Sequence, residues 1–163
     1  MTTTATATTD YSDCFLLTIH GVTSENEGLA NLRTYCAQQL PGLICDSYYY
    51  GRVVPFSDLT DAVAGAVTQA IRDKIELIYF RDLRDSKRRL YVVAHSFGTL
   101  AVVRALEMRV PGVTIEALIL LGSVVRRGYN WDGLVETHQL RSPPFAVVRP
   151  LDMVVSWRPR CWR

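Results

Sequence analysis

At 163 residues the chain is long enough for one domain with a buried core. Hydrophobic residues make up 48% and charged residues 21%, the balance of an ordinary globular protein. A formal charge of +2 is too small to argue for a nucleic-acid or anionic-membrane partner, and no apolar run approaches the roughly 18 residues of a membrane helix.

The chain opens with Thr and Ala from Met1 to Asp10, without the basic and apolar regions of a secretory signal. Residues 1–12 are therefore expected to be a disordered leader, and the protein cytoplasmic. Cys14 to Ile19 reads as a strand stopped by the turn His20-Gly21. Ser24 with Glu27 forms a capping-box pattern that opens a helix to about Leu40. Pro41-Gly42 ends that helix, and Cys45 to Tyr50 reads as a second strand. A loop over 52–58 leads into a long helix from Asp58 or Thr60. Its apolar stripe is expected at Leu59, Ala62, Val63, Ala66, Val67, Ala70, Ile71 and Ile78. The charged stretch Arg81 to Arg89 reads as a solvated helix end and loop.

Leu90 to Val93 is the third expected strand, followed by Ala94-His-Ser-Phe-Gly98 and a helix to about Arg109. Ile115 to Leu121 is a fourth strand ending in Gly122-Ser123, and Phe145 to Val148 a fifth. Strands alternating with helices imply a parallel sheet with right-handed crossovers. In such sheets ligands bind beyond the carboxyl ends of the strands. His20-Gly21, Ser96, Gly122-Ser123 and Asp152 all fall at or just past those ends.

Ser96 is the residue with chemical meaning. It has a small residue two before it, Ala94, and a glycine two after it, Gly98. A nucleophile elbow needs both, because the strained strand-to-helix turn brings its flanks against the neighbouring backbone. The turn lifts the hydroxyl clear of the sheet. It also aims a helix N-terminus, with its unsatisfied N–H groups, at the place where an oxyanion would develop. The alternative is a structural serine in a βα turn.

Ile19-His-Gly-Val22 after the first strand, together with Val93-Ala-His-Ser-Phe-Gly98, resembles the α/β-hydrolase superfamily in its compact, serine esterase/lipase-like form. The resemblance covers about residues 14–155, with Ala94 where the family most often has glycine. It implies a three-layer α/β sandwich with a doubly wound, mostly parallel sheet of five to six strands over residues 13–155. It also implies a carboxylic ester substrate, with lipid ester or thioester as variants, and neither cofactor nor metal. By the same resemblance the oxyanion donors are the N–H groups of Val22 and Phe97. His20, Gly21, Ala94, His95 and Gly98 then belong to the turn motifs rather than to the proton relay.

The acid in this pattern follows a late strand, which points to Asp152 in Phe145-Ala-Val-Val-Arg-Pro-Leu-Asp-Met-Val-Val155, with Asp132 second. The base should follow the acid, yet the eleven residues after Asp152 hold no histidine. His138 precedes the acid and would serve only if its loop folded over Ser96, since a triad is set by geometry rather than chain order. The tail 156–163 carries two of the three tryptophans and three arginines, and reads as a frameshifted or truncated terminus. The base would then lie past about Val155 in a longer relative.

Other features carry less. Cys14, Cys36, Cys45 and Cys161 have no CxxC spacing and read as free thiols rather than a zinc or redox site. Sixteen arginines against Lys74 and Lys87 suggest coding bias. Tyr48, Tyr49 and Tyr50 would line an acyl or aromatic pocket, or alternation along the strand would place one or two in the core and the rest at the rim. Arg126-Arg127 is either an anion contact or a solvated pair, and Trp131 a lid element or simple packing. A hydrolase-fold binding or interaction module without the triad histidine is the rival to an enzyme.

Overall fold

The structure, a computed structural model, describes residues 9–21, 27–50, 61–144 and 146–148, with backbone alone at 27, 61, 62 and 146–148. Ser24, the loop over 52–58, the first stripe residue Leu59, Phe145, Asp152 and the tail 156–163 lie outside the described residues.

Three apolar segments make the centre of the sheet. They are β1 (Cys14–Ile19), β3 (Arg89–His95) and β4 (Ile115–Leu121). Near-continuous apolar runs suit strands covered on both faces. The edge strand β2 (Ile44–Tyr48) is half-buried throughout and tolerates Asp46 and Ser47. These four form an all-parallel sheet in the order β2-β1-β3-β4, and a three-residue β5 (Ala146–Val148) pairs in parallel with β4.

Alternation along the strands divides the core in two. Phe15, Leu17, Ile19, Val92, Ala94, Leu118 and Leu120 face α2 (Asp61–Ile78) and α3 (Phe97–Glu107). Leu16 and Val93 face the other way, toward Leu29, Leu32 and Cys36 of α1 (Glu27–Gln39). Helices thus cover both faces, as a doubly wound arrangement requires. β1 leads through α1 on one face to β2, and β3 through α3 on the other face to β4, so the connections of these neighbouring strands leave in opposite directions. Their carboxyl ends enclose the crevice where open α/β sheets bind ligands.

The stripe of α2 differs from the expected one. Ala64, Val67, Ile71, Ile75 and Ile78 are buried, whereas Ala66 is exposed. The burial follows large side chains at three- and four-residue steps, each worth about 1.5–3 kcal/mol when removed from water. Alanine contributes too little area to fix the helix's rotation. The helix ends within the charged stretch 81–89, as expected. Tyr79–Leu83 widens into a π turn, with the Arg84 N–H donating to the Tyr79 carbonyl at 2.8 Å, and buries Leu83. A short helix α4 (Asp132–Glu136), absent from the sequence reading, anchors through buried Leu134. Cys14 and Cys36 are buried and Cys45 half-buried, all as free thiols, and burial raises the pKa of each. Among the described residues no helix is long and apolar enough to cross a membrane.

Candidate functional site

Ser96 stands between the last residue of β3 and the first of α3, with φ 52° and ψ −125°. A side chain rarely adopts this backbone, which costs of order 1–3 kcal/mol and persists only where the surroundings enforce it. They do so on three sides. The Ser96 N–H donates to the Leu121 carbonyl at 2.8 Å, extending the β3–β4 ladder into the turn. The Thr99 hydroxyl, fully buried, donates to the Ser96 carbonyl at 2.6 Å and accepts the Val124 N–H at 3.2 Å. The first turn of α3 packs directly on the end of β1.

That packing explains the small residues. A Cβ on Gly98 would run into the His20 carbonyl oxygen and lie 3.0 Å from Ile19 Cγ2. A Cβ on Gly21 would lie 2.7 Å from Ser96 Cβ and 3.1 Å from His95 Nδ1. Ala94 is fully buried against the α2/α3 layer, so a methyl group is tolerated there. Gly122, at φ +56° on the end of β4, faces the His95 ring and the Ser96 N–H from the other side. Glycine supplies this left-handed turn at no steric cost. The Phe97 N–H is among the first four of α3, which have no intrahelical acceptor and sit at the positive end of the helix dipole.

His20 is a structural histidine. It is 1% exposed, its Nδ1–H donates to the Gly21 carbonyl, and its Nε2 accepts the Tyr50 N–H at 3.0 Å. These two partners set the neutral tautomer. The ring is stacked against Tyr49 and Tyr50 at centroid distances of 4.4 and 4.0 Å, and the Tyr50 hydroxyl donates to the His20 carbonyl at 2.7 Å. Burial pushes the His20 pKa below its ordinary value, outweighing the Gly21 carbonyl, which favours the proton. Tyr49 and Tyr50 therefore brace the turn under Ser96, while Tyr48 packs against the core.

The structure brings His20, Gly21, Ala94, His95, Ser96, Phe97 and Gly98 together at one end of the sheet. It does not bring His138 there. His138 is exposed, and its carbonyl accepts the Thr114 hydroxyl at 2.8 Å, beside the first residue of β4. Leu140 bridges to Ile115, so this segment runs along the amino end of β4. The strand places it about 20 Å from the Ser96 end. Asp132 is likewise remote. It follows Tyr129 and Trp131, and the Tyr129 hydroxyl donates to Glu107 at 2.7 Å, at the far end of α3. Trp131 packs with Tyr129 there, at 4.4 Å between centroids, away from Ser96. Arg126 and Arg127 are exposed. Val22 and Asp152 lie outside the described residues.

Two supporting roles escaped the sequence reading, that of Thr99 and the bracing of His20 by Tyr50. A threonine in the first helical turn after the serine was a readable signal for the first. The second depends on a contact across thirty residues and had no local signature. Among the described residues no three His, Cys, Asp or Glu side chains cluster as metal ligands. No protein-family profile, no curated protein and no solved structure matches the chain.

Proposed function

We propose that the chain is a serine hydrolase of the α/β-hydrolase type, cleaving carboxylic esters, with lipid esters or thioesters as variants. Ser96 is the nucleophile. The observation that carries this reading is its backbone at φ 52° and ψ −125°, held between β3 and α3 at the crevice of a parallel sheet. Arg109 and His138 also hold a positive φ, but only at Ser96 does the turn set a hydroxyl beside a helix N-terminus at the carboxyl end of the sheet, as a nucleophile needs.

In this mechanism the Ser96 Oγ attacks the ester carbonyl carbon, and the carbonyl π electrons move to oxygen. The Phe97 N–H, with that of Val22 as second donor, holds the oxyanion. One such donor is worth about 2.7–4 kcal/mol in the transition state. Asp152 is the proposed acid that orients an imidazole. Collapse expels the alcohol, and water then releases the acyl group.

The rival reading, a binding or interaction module on the same fold, is favoured by one observation: His138 and Asp132 lie far from Ser96. Hydrolysis of short- and medium-chain p-nitrophenyl esters separates the two. The enzyme reading expects turnover that Ser96→Ala removes. Background-level rates for both proteins, each folded, favour the module.

A further inference from the structure

A serine at the start of a helix ordinarily commits its hydroxyl to that helix. In the N-cap position the backbone is extended, with negative φ, and the side-chain oxygen accepts an N–H of the second or third helical residue. Ser96 is the N-cap of α3, yet its side chain makes no capping hydrogen bond and its φ is 52°. The third helical residue, Thr99, is bound differently. Its N–H donates to the Ser96 carbonyl at 3.0 Å, and its hydroxyl donates to the same oxygen at 2.6 Å. Two donors from one residue hold the Ser96 carbonyl against the first turn of α3.

Thr99 is fully buried, which fixes the direction of its hydroxyl. The same oxygen accepts the Val124 N–H at 3.2 Å, from the segment beyond Gly122. The hydroxyl therefore donates once and accepts once, both times to backbone, and ties the end of β4 to the serine turn. On the other side, the Ser96 N–H is held by the Leu121 carbonyl at 2.8 Å. Both peptide groups that flank the Ser96 Cα are thus pinned, and its backbone cannot rotate toward an ordinary cap without breaking one of these bonds.

We infer that Thr99 is a positioning residue whose hydroxyl keeps Ser96 from capping its own helix. Its bearing on the reaction rests on the reading of Ser96 as a nucleophile. Without the Thr99 hydroxyl, the Ser96 carbonyl keeps one donor instead of two, and the Val124 N–H loses its acceptor. Ser96 then relaxes toward negative φ, where its own oxygen accepts an N–H of the first turn of α3. A hydroxyl bound in that way is turned from a substrate carbonyl toward the helix. It also occupies part of the helix N-terminus that would hold the oxyanion.

The test has two arms, both in the full chain with folding checked by circular dichroism. The first is the rate of labelling by a fluorophosphonate probe in wild type, Thr99→Val, Thr99→Ala and Thr99→Ser. Valine keeps the shape without the hydroxyl, and alanine is the second variant should valine not fold. We expect the Val and Ala variants to label about 10- to 10²-fold more slowly, the scale set by a misplaced reacting group, and Ser to recover most of the loss. The second arm is urea unfolding with and without Ser96→Ala. In the wild-type background that substitution should leave the unfolding constant unchanged, because the hydroxyl caps nothing. In the Thr99→Val or Thr99→Ala background it should raise the constant about 2- to 30-fold, the cost of losing an N-cap. Wild-type labelling by the folded Val and Ala variants, or no effect of Ser96→Ala on their unfolding, would overturn the inference while leaving the nucleophile in place. No labelling of folded wild type would overturn the nucleophile, and the unfolding arm would still decide whether Thr99 keeps the serine from capping.

Discussion

The two ends of the sheet differ in how their polar side chains are satisfied. At the amino end, polar groups are matched to one another. Arg89 pairs with Asp13 at 2.7 Å, and its N–H donates to the Asp13 carbonyl at 2.8 Å. Buried Gln139 accepts the Val110 N–H at 2.7 Å, and its carbonyl accepts the Ile115 N–H at 3.0 Å. Positive φ occurs at both ends, at Ser96 as at Arg109 and His138, but at the carboxyl end a hydroxyl and an imidazole have no hydrogen-bond partner among the described residues. Matched polar groups stabilise; unmatched ones held in place are available for chemistry.

Substitutions at each end should break that contrast in different ways. Gly98→Val drives a branched side chain into the His20 carbonyl and should cost about 3 kcal/mol or more in urea unfolding, the upper range of overpacking. Gln139→Leu leaves the buried Val110 N–H unpaired and should cost about 1–3 kcal/mol. Because it acts at the amino end, the folded variant should keep the wild-type labelling rate at Ser96.

A pH effect comes next. Burial depresses the His20 pKa in the folded state, so the unfolded chain takes up the proton first. The stability contributed is complete above the unfolded value of about 6.5 and is lost as pH falls through it, by up to about 1.4 kcal/mol per unit. Urea midpoints between pH 7.5 and 5.5 should fall for wild type and stay flatter for His20→Gln. The smallest change should be a gain. Ser96→Gly relieves the φ of 52° and should stabilise by about 1 kcal/mol, whereas Ser96→Ala, with the same strain, should not.

Much of this architecture was legible because it is local. The limits of β1 and β4 follow from apolar runs closed by His20-Gly21 and Gly122. Ala94 and Gly98 announced the turn at Ser96, since sterics within a few residues dictate them. What was not legible depends on distant contacts. The rotation of α2 was misjudged at Ala66 because the count of apolar residues ignores their size. The brace of His20 by Tyr50, the remoteness of His138, and α4 arise from packing across the sheet, which no local pattern encodes. His95 reads in sequence as part of a motif. The placing of its ring between Gly21 and Gly122 depends on contacts across the sheet.

The central claim is that Ser96 is a nucleophile. Fluorophosphonate treatment followed by peptide mass spectrometry tests it most directly. The account predicts a single adduct, on Ser96, that is absent from Ser96→Ala. A folded protein that carries no adduct, or carries it on another residue, would contradict it.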